Sequence, residues 1–271
     1  DPGIQVDVYI AGIEKDGANN RYIPRYWKNG EPTDLENTNH AAGVVYSMFV
    51  DGNDIYAVGT TAVSTIANST KFAAYWKNGK KTQLSSSSEA KSVYLDGDDV
   101  YIAGYKRPFL FYDAVYWKNG TMVTLAKESD NANAYAESII VKNNVVYVAG
   151  IDGRAVYWKD NVKTVLQSSG DSAGYFIYID NDDNVYVLGI DGGEAVYWKN
   201  DGTEIHKVQL TEGAQYSACA YSMYIKGNDI YVAGFKDYNA VYWKNGEIKY
   251  LTTGGASAPA QAHAPVRRVD T

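Results

Sequence analysis

Residues 114–120 read AVYWKNG, and residues 240–246 read AVYWKNG again. Close copies stand at 73–79 (AAYWKNG), 155–161 (AVYWKDN), 195–201 (AVYWKND) and 24–30 (PRYWKNG). All six tryptophans of the chain lie in this motif, and Trp27, Trp76, Trp117, Trp158, Trp198 and Trp243 follow one another at intervals of 49, 41, 41, 40 and 45 residues. A Tyr-x-x-Gly motif precedes each copy: YIAG at 9–12, YAVG at 56–59, YIAG at 101–104, YVAG at 147–150, YVLG at 186–189 and YVAG at 231–234. Nine residues before most of those tyrosines begins a third element, SMFVDG at 47–52, SVYLDG at 92–97, SIIVKN at 138–143 and SMYIKG at 222–227, with a looser FIYIDND at 176–182.

One unit is therefore a Ser-Ile-x-Val run, a turn, an Ile-Tyr-Val-Ala-Gly run, a variable loop, Ala-Val-Tyr-Trp-Lys, an Asn-Gly turn and a short run ending in Leu. These are four short strands, rich in β-branched and aromatic residues and bounded by Asn, Asp and Gly. The DGND and KNG stretches supply the left-handed positions that tight hairpins need. Six four-stranded units of this length predict an all-β fold, a six-bladed β-propeller of antiparallel blades. The repeats fall at about 4–35, 42–84, 90–125, 136–166, 175–210 and 221–251 of a single domain spanning 1–271. Consecutive apolar residues in YIAG and AVYW fit sheets packed on both faces. The tryptophans are expected to serve as equivalent anchors between successive units.

The first unit lacks a Ser-Ile-x-Val run. The tail reads AHAPVRRVD at 262–270 and aligns with AYAESIIVK at 134–142. Residues 252–271 are thus expected to be a linker and a strand that closes the first blade beside residues 4–12, although Arg267 stands where Ile139 is apolar.

The blade pattern resembles six-bladed NHL-type and YWTD-type propellers. The Tyr-Trp-Lys-Asn-Gly signature is similar to uncharacterised repeat lipoproteins of Bacteroides-type bacteria. The resemblance covers residues 4 to about 251. It implies a monomer in the periplasm or at the cell surface, tethered to a membrane through a lipidated Cys just upstream of Asp1. It implies no catalytic residue. The start at Asp1-Pro2-Gly3 fits a processed chain.

The formal net charge of -7 argues against a nucleic-acid partner, which needs a basic stripe, and no apolar run is long enough for a transmembrane helix. The one cysteine, Cys219, reads as a small buried hydrophobe. Asp180, Asp182 and Asn184 follow a calcium-loop pattern, but Val185 stands where that loop needs Gly and Asp191 where it needs Glu. His40, His206 and His263 share no ligand spacing. No metal site and no cofactor are expected.

Function is expected on loops held by the scaffold. The residues just before each Ser-Ile-x-Val run are Tyr46, Lys91, Glu137, Tyr175 and Tyr221, a set able to stack on and hydrogen-bond a glycan, a peptide or a protein. Loops after the Tyr-x-x-Gly glycine are longest in the first three units. The polar stretch 60–73 reads as a lid, and the third loop carries Tyr105, Arg107, Phe109 and Phe111, cations beside aromatics. The leading expectation is a non-enzymatic binding or scaffold propeller. The alternative is a lyase or hydrolase with Glu137 working beside Tyr175 or Tyr221.

Overall fold

A computed structural model describes residues 7–17, 21–37, 42–64, 69–168, 171–214, 217–252 and 267–268. Every described element is a strand. The first repeat supplies β1 (Tyr9–Asp16), β2 (Arg21–Lys28) and β3 (Glu31–Asp34); the second β4 (Ala42–Asp51), β5 (Asp54–Ala62), β6 (Lys71–Lys77) and β7 (Lys80–Ser86). The third supplies β8 (Ser88–Asp96), β9 (Asp99–Lys106), β10 (Asp113–Lys118) and β11 (Thr121–Thr124), and the fourth β12 (Ala134–Lys142), β13 (Val145–Asp152), β14 (Ala155–Lys159) and β15 (Val162–Val165). The fifth supplies β16 (Ser172–Ile179), β17 (Val185–Asp191), β18 (Glu194–Asn200) and β19 (Ile205–Gln209), and the sixth β20 (Ala218–Lys226), β21 (Asp229–Lys236), β22 (Asn239–Lys244) and β23 (Glu247–Tyr250). A short β24 (Arg267–Arg268) ends the list.

The third to sixth repeats each form a four-stranded sheet in sequence order, and the first two, joined by β24, merge into one eight-stranded sheet through a parallel β2–β4 contact. The chain forms two compact units. One comprises Asp1–Leu110, Val115–Val123 and Pro265–Thr271, the other Phe111–Ala114 and Thr124–Ala264.

Within each unit the core lies between the faces of successive sheets. In the first, Phe49, Val58 and Ala73 of the second repeat meet Val93, Leu95, Ile102 and Trp117 of the third. In the second, Leu188, Ala195 and Leu210 of the fifth meet Ala218, Met223, Val232 and Trp243 of the sixth. Trp76, Trp117, Trp158, Trp198 and Trp243 are at most 1 % exposed. Each such burial is worth about 4–6 kcal/mol gross. Three of the indoles also donate to a backbone carbonyl just past the closing leucine of the preceding repeat: Trp76 to Glu36 (2.8 Å), Trp158 to Ala126 (2.5 Å) and Trp198 to Gln167 (2.5 Å). The sixth repeat breaks the rule. The Thr211 carbonyl accepts the Gln209 amide at 2.7 Å, and the buried Trp243 Nε1 has no partner among the described residues. Trp27 is only half-buried.

The Lys-Asn-Gly end of the motif forms the tight turn between the third and fourth strands, Asn78–Gly79 between β6 and β7 and Asn119–Gly120 between β10 and β11. Asn78 and Gly79 adopt φ of 51° and 83°, and Asn119 and Gly120 adopt 50° and 82°, the left-handed pair of a tight two-residue turn. The Asn78 side chain accepts the Ile55 N–H and donates to Asp54, both at 2.8 Å, while Lys77 pairs with Asp54 at 2.9 Å and lies over the Tyr56 ring. The same clip recurs at Asp99–Lys118–Asn119 and Asp229–Lys244–Asn245.

The glycine of Tyr-x-x-Gly answers to a different constraint. In β4, β8, β12, β16 and β20 the ladder to the next strand is interrupted by a bulge, between Val45 and Ser47, Ala90 and Ser92, Ala136 and Ser138, Gly174 and Phe176, and Ala220 and Ser222. Each bulge drives one carbonyl, that of Val44, Glu89, Tyr135, Ala173 or Cys219, to where a Cβ would stand on Gly59, Gly104, Gly150, Gly189 or Gly234. Any side chain there would lie far inside contact distance of a backbone oxygen.

The first repeat departs from this scheme. Ile10 is 58 % exposed, whereas its counterparts Ala57, Ile102, Val148, Val187 and Val232 are at most 1 % exposed. Among the described residues, a Cβ on Gly12 would meet only Trp27, at 3.5 Å. The strand expected to close this repeat is described only at β24, which runs parallel to β4, pairing Arg267 with Phe49 and Arg268 with Val50, rather than with β1. Residues 4–6, 262–266 and 269–271 lie outside the described residues.

Two expectations about loops are corrected. The stretch 60–73 is not simply a lid: β5 and β6 extend into it, with Thr60 opposite Ala73 and Thr61 opposite Phe72, both threonines buried. In the first repeat β1 and β2 likewise pair out to Asp16 and Arg21. Extra residues there lengthen a hairpin because a longer ladder satisfies backbone groups that a loop would expose.

Gly104→Ala is expected to destabilise beyond the ~1–3 kcal/mol usual for an overpacked core, whereas Gly12→Ala leaves the melting temperature nearly unchanged. Thermal melts of the two variants check this. Asp99 is held below the usual carboxylate range by its bonds to Lys118 and Asn119. Its folded value is depressed, so the stabilisation is complete above the unfolded value and disappears as pH falls through the folded one. Melts between about pH 5 and pH 2 should therefore show a steeper loss for the parent than for Asp99→Asn.

Candidate functional site

The five residues singled out before the Ser-Ile-x-Val runs do not precede strands. The strands begin earlier, at Ala42, Ser88, Ala134, Ser172 and Ala218, and Tyr46, Lys91, Glu137, Tyr175 and Tyr221 are the extra, bulged residues within them. A bulge bends its strand and re-aims one side chain without ending the ladder. On either side of the bulge the repeats are nearly constant, with Ala, Gly or Val before and Ser or Phe after. The bulged position itself holds Tyr, Lys, Glu, Tyr and Tyr.

In the first unit, β4 packs against β8 and brings two of these residues together. The Lys91 ammonium stands 4.1 Å from the centre of the Tyr46 ring. The Tyr46 hydroxyl donates to Glu89 at 3.2 Å, and Lys71 pairs with the other oxygen of Glu89 at 2.6 Å. Glu89 is buried and lies opposite half-buried Tyr105 in the ladder. Glu89 and Lys71 were not singled out from the sequence. The signal was available: Glu89 stands where the other repeats have Val44, Tyr135, Ala173 and Cys219, a charge at an otherwise uncharged position.

In the second unit, β16 packs against both β12 and β20. The rings of Tyr175 and Tyr221 lie 6.1 Å apart, and Tyr221 meets Phe235 at 5.8 Å, so three half-buried rings form one wall. Burial raises the Tyr175 hydroxyl above its ordinary value, with Cys219 and Glu137 adding to the rise. Burial likewise raises Tyr221, reinforced by Cys219 and Tyr175. Both hydroxyls therefore stay protonated and able to donate. The Cys219 thiol is buried and pushed up to about 12 by burial, as its sequence context implied.

The third loop is divided. Arg107 is exposed and its backbone N–H donates to Ser87 at 2.7 Å; Phe109 is 88 % exposed. Phe111 is half-buried, and Tyr112 after it stacks at 5.3 Å on Tyr135 and takes the Asn133 side-chain oxygen on its N–H at 2.9 Å. At the calcium-like stretch, the Asp180 carboxylate already accepts the N–H groups of Asp182 and Asn184, the Asn184 amide and the Tyr186 hydroxyl, which makes it the organiser of a hairpin turn. No helix long and apolar enough to cross a membrane occurs among the described residues.

No family model and no curated protein matches the chain. Among solved structures, a chain from the crystal structure of a nidogen/laminin complex superposes with a TM-score of 0.52 over 96 % of this chain and 94 % of its own length, at 10 % identity. The fold is a β-propeller. At that identity the likeness concerns the fold alone.

The thiol gives a direct test of the second-unit environment. Native protein at about pH 8 is expected to react with a disulfide reagent far more slowly than an unperturbed cysteine, whose value is about 8.5, and at full rate once unfolded. Fast reaction of the native protein contradicts the burial described for Cys219.

Proposed function

We propose that the chain is a non-enzymatic binding propeller of six blades, working outside the cytoplasm at the periplasmic face or cell surface, and that it recognises a peptide or protein, or a glycan, through its bulged residues. One observation carries this reading. Six repeats keep their Trp, Gly, Asn and Lys nearly fixed, while in five of them the residue that the bulge releases from the ladder is Tyr, Lys, Glu, Tyr or Tyr. A residue released from the ladder can change without disturbing strand pairing, which suits a position used for contact with something else.

The chemistry of the set supports binding. Tyrosine offers a large rigid surface with a polar tip at low conformational cost, the composition that recognition surfaces favour. With Tyr175 and Tyr221 held protonated, neither is poised as a base. This weakens the alternative of a lyase or hydrolase in which one of them works with Glu137. One solved structure that this chain resembles is of a nidogen/laminin complex, a protein–protein assembly, which fits a protein-binding role. The exposed Phe109 of the third loop adds apolar surface.

The test is binding of the intact chain to arrayed peptides and glycans, followed by Tyr175→Ala and Tyr221→Ala in the second unit. Each substitution is expected to weaken capture of the ligand by about tenfold or more, equivalent to ~1.4 kcal/mol, with the melting temperature little changed. Capture that survives both, or a fall in melting temperature that accounts for its loss, overturns the assignment to the bulges. Absence of any ligand among peptides, glycans and proteins overturns the binding reading itself.

A further inference from the structure

In five repeats the Tyr-x-x-Gly strand lies between the Tyr-Trp-Lys strand and a bulged leading strand. Among the described residues β1 has a neighbour on one side only: it pairs with β2 and stands at the end of its sheet. Its free side follows the same specification as the occupied ones. Gly150 makes room for the bulged carbonyl of Tyr135; Gly12 keeps that room, and no described carbonyl fills it. In the fourth repeat the ladder sets Ile139 opposite Val148 and Val141 opposite Val146. The counterparts of those two valines are Ile10 and Val8, and both are exposed. An edge with unpaired backbone groups and bare apolar side chains is a template for another strand.

We propose that the free edge of β1 takes up an extended segment of another polypeptide as an antiparallel strand, one with the pattern of the leading strands: a small residue, any residue, Ser, an apolar residue, any residue, an apolar residue. The occupied copies specify this partner. Opposite the position of Ile10 they place Met48, Val93, Ile139, Ile177 and Met223, all buried. Opposite the position of Gly12 they place Val45, Ala90, Ala136, Gly174 and Ala220, none larger than valine. The chain's own tail departs from the pattern, since Arg267 aligns with Ile139 and a guanidinium buried against Ile10 would lose its hydration. Arg267 and Arg268 pair instead with Phe49 and Val50 of β4. Strand addition of this kind takes its affinity from main-chain hydrogen bonds and its specificity from alternate side chains. The site uses none of the bulged residues and goes beyond the reading based on them.

The probe is a peptide with the sequence of residues 134–142, AYAESIIVK, acetylated, amidated and fluorescently labelled, titrated into the full chain and followed by anisotropy. The control peptide, AYAESRIVK, carries arginine where the tail does. The expected result is binding of the first peptide in the range of about 10–100 μM, with the arginine peptide at least about tenfold weaker. Gly12→Ala puts a Cβ where the bulged carbonyl must enter, and Ile10→Asp removes the apolar contact. Each should weaken binding at least about tenfold with the melting temperature nearly unchanged, while Tyr175→Ala leaves the affinity as it was. No binding up to about 1 mM, equal binding of the arginine peptide, or full affinity in Gly12→Ala overturns the proposal. Two other occupants of the edge are open to direct measurement. A disulfide formed within one chain of the Ile10→Cys/Arg267→Cys variant would show the tail on β1, and a dimer in sedimentation that Ile10→Asp dissolves would show a second copy there. Either result overturns the proposal as well. Loss of the edge site leaves the reading based on the bulged residues standing, since its own test uses Tyr175 and Tyr221.

Discussion

The architecture turns on a contact between a carbonyl and an absent side chain. In five repeats a bulge pushes a backbone oxygen toward the neighbouring strand, and the glycine of Tyr-x-x-Gly is the residue that leaves room for it. Without the glycine the bulge would be expelled and the leading strand would shift by one residue. Because side chains alternate between faces with every residue, such a shift would turn the buried face of the strand outward. Met48, Ile139 and Met223 would then leave the cores they fill. The glycine therefore sets the register of the strand, and the register sets which side chains meet the adjacent sheet. The tryptophans act on top of this geometry. They fill space between sheets whose spacing the bulged strands have already fixed.

The same bulge is what makes a site conceivable on so regular a scaffold. A uniform ladder would bury or pair each residue as its neighbours do. At the bulge one residue per repeat is released from pairing, and the chain uses the release differently in its two units. The first joins Tyr46, Lys91, Glu89 and Lys71 into a satisfied network of opposite charges over a ring. The second brings Tyr175, Tyr221 and Phe235 together as one aromatic wall.

The motif spelled out most of the fold because each of its letters answers to a local physical demand. Asn and Gly in the turn need left-handed dihedrals, Trp needs a core, and the repeat period fixes the strand count. The bulged residues were legible as positions but not as bulges. Nothing in Ala-Glu-Ser or Ala-Tyr-Ser announces a ladder irregularity, and the strand starts were therefore read a few residues late. The lengthened hairpins at 60–73 were hidden for a similar reason. Thr, Ser and Asn are ordinary loop residues, and only the pairing across the hairpin reveals that Thr60 and Thr61 are buried. Glu89 was missed because its role depends on Tyr46 and Lys71 from other strands, which no local pattern records. Conversely, Ile10 reads in sequence like Ile102, yet it is exposed where Ile102 is buried.

The Asp–Lys–Asn clip carries a consequence for how the molecule assembles. Its partners come from the two arms of one hairpin, with Asp99 and Asn119 separated by 20 residues and Asp229 and Asn245 by 16. Contacts this local close small loops, and hairpins of this kind form on the order of microseconds. The tryptophan interfaces require strands from neighbouring repeats. The clips can therefore exist before the sheets pack on one another, holding each second and third strand in the correct register. Long repetitive chains are prone to pairing a strand with the wrong copy of its partner. A hairpin latched by its own aspartate, lysine and asparagine is already committed to the right one.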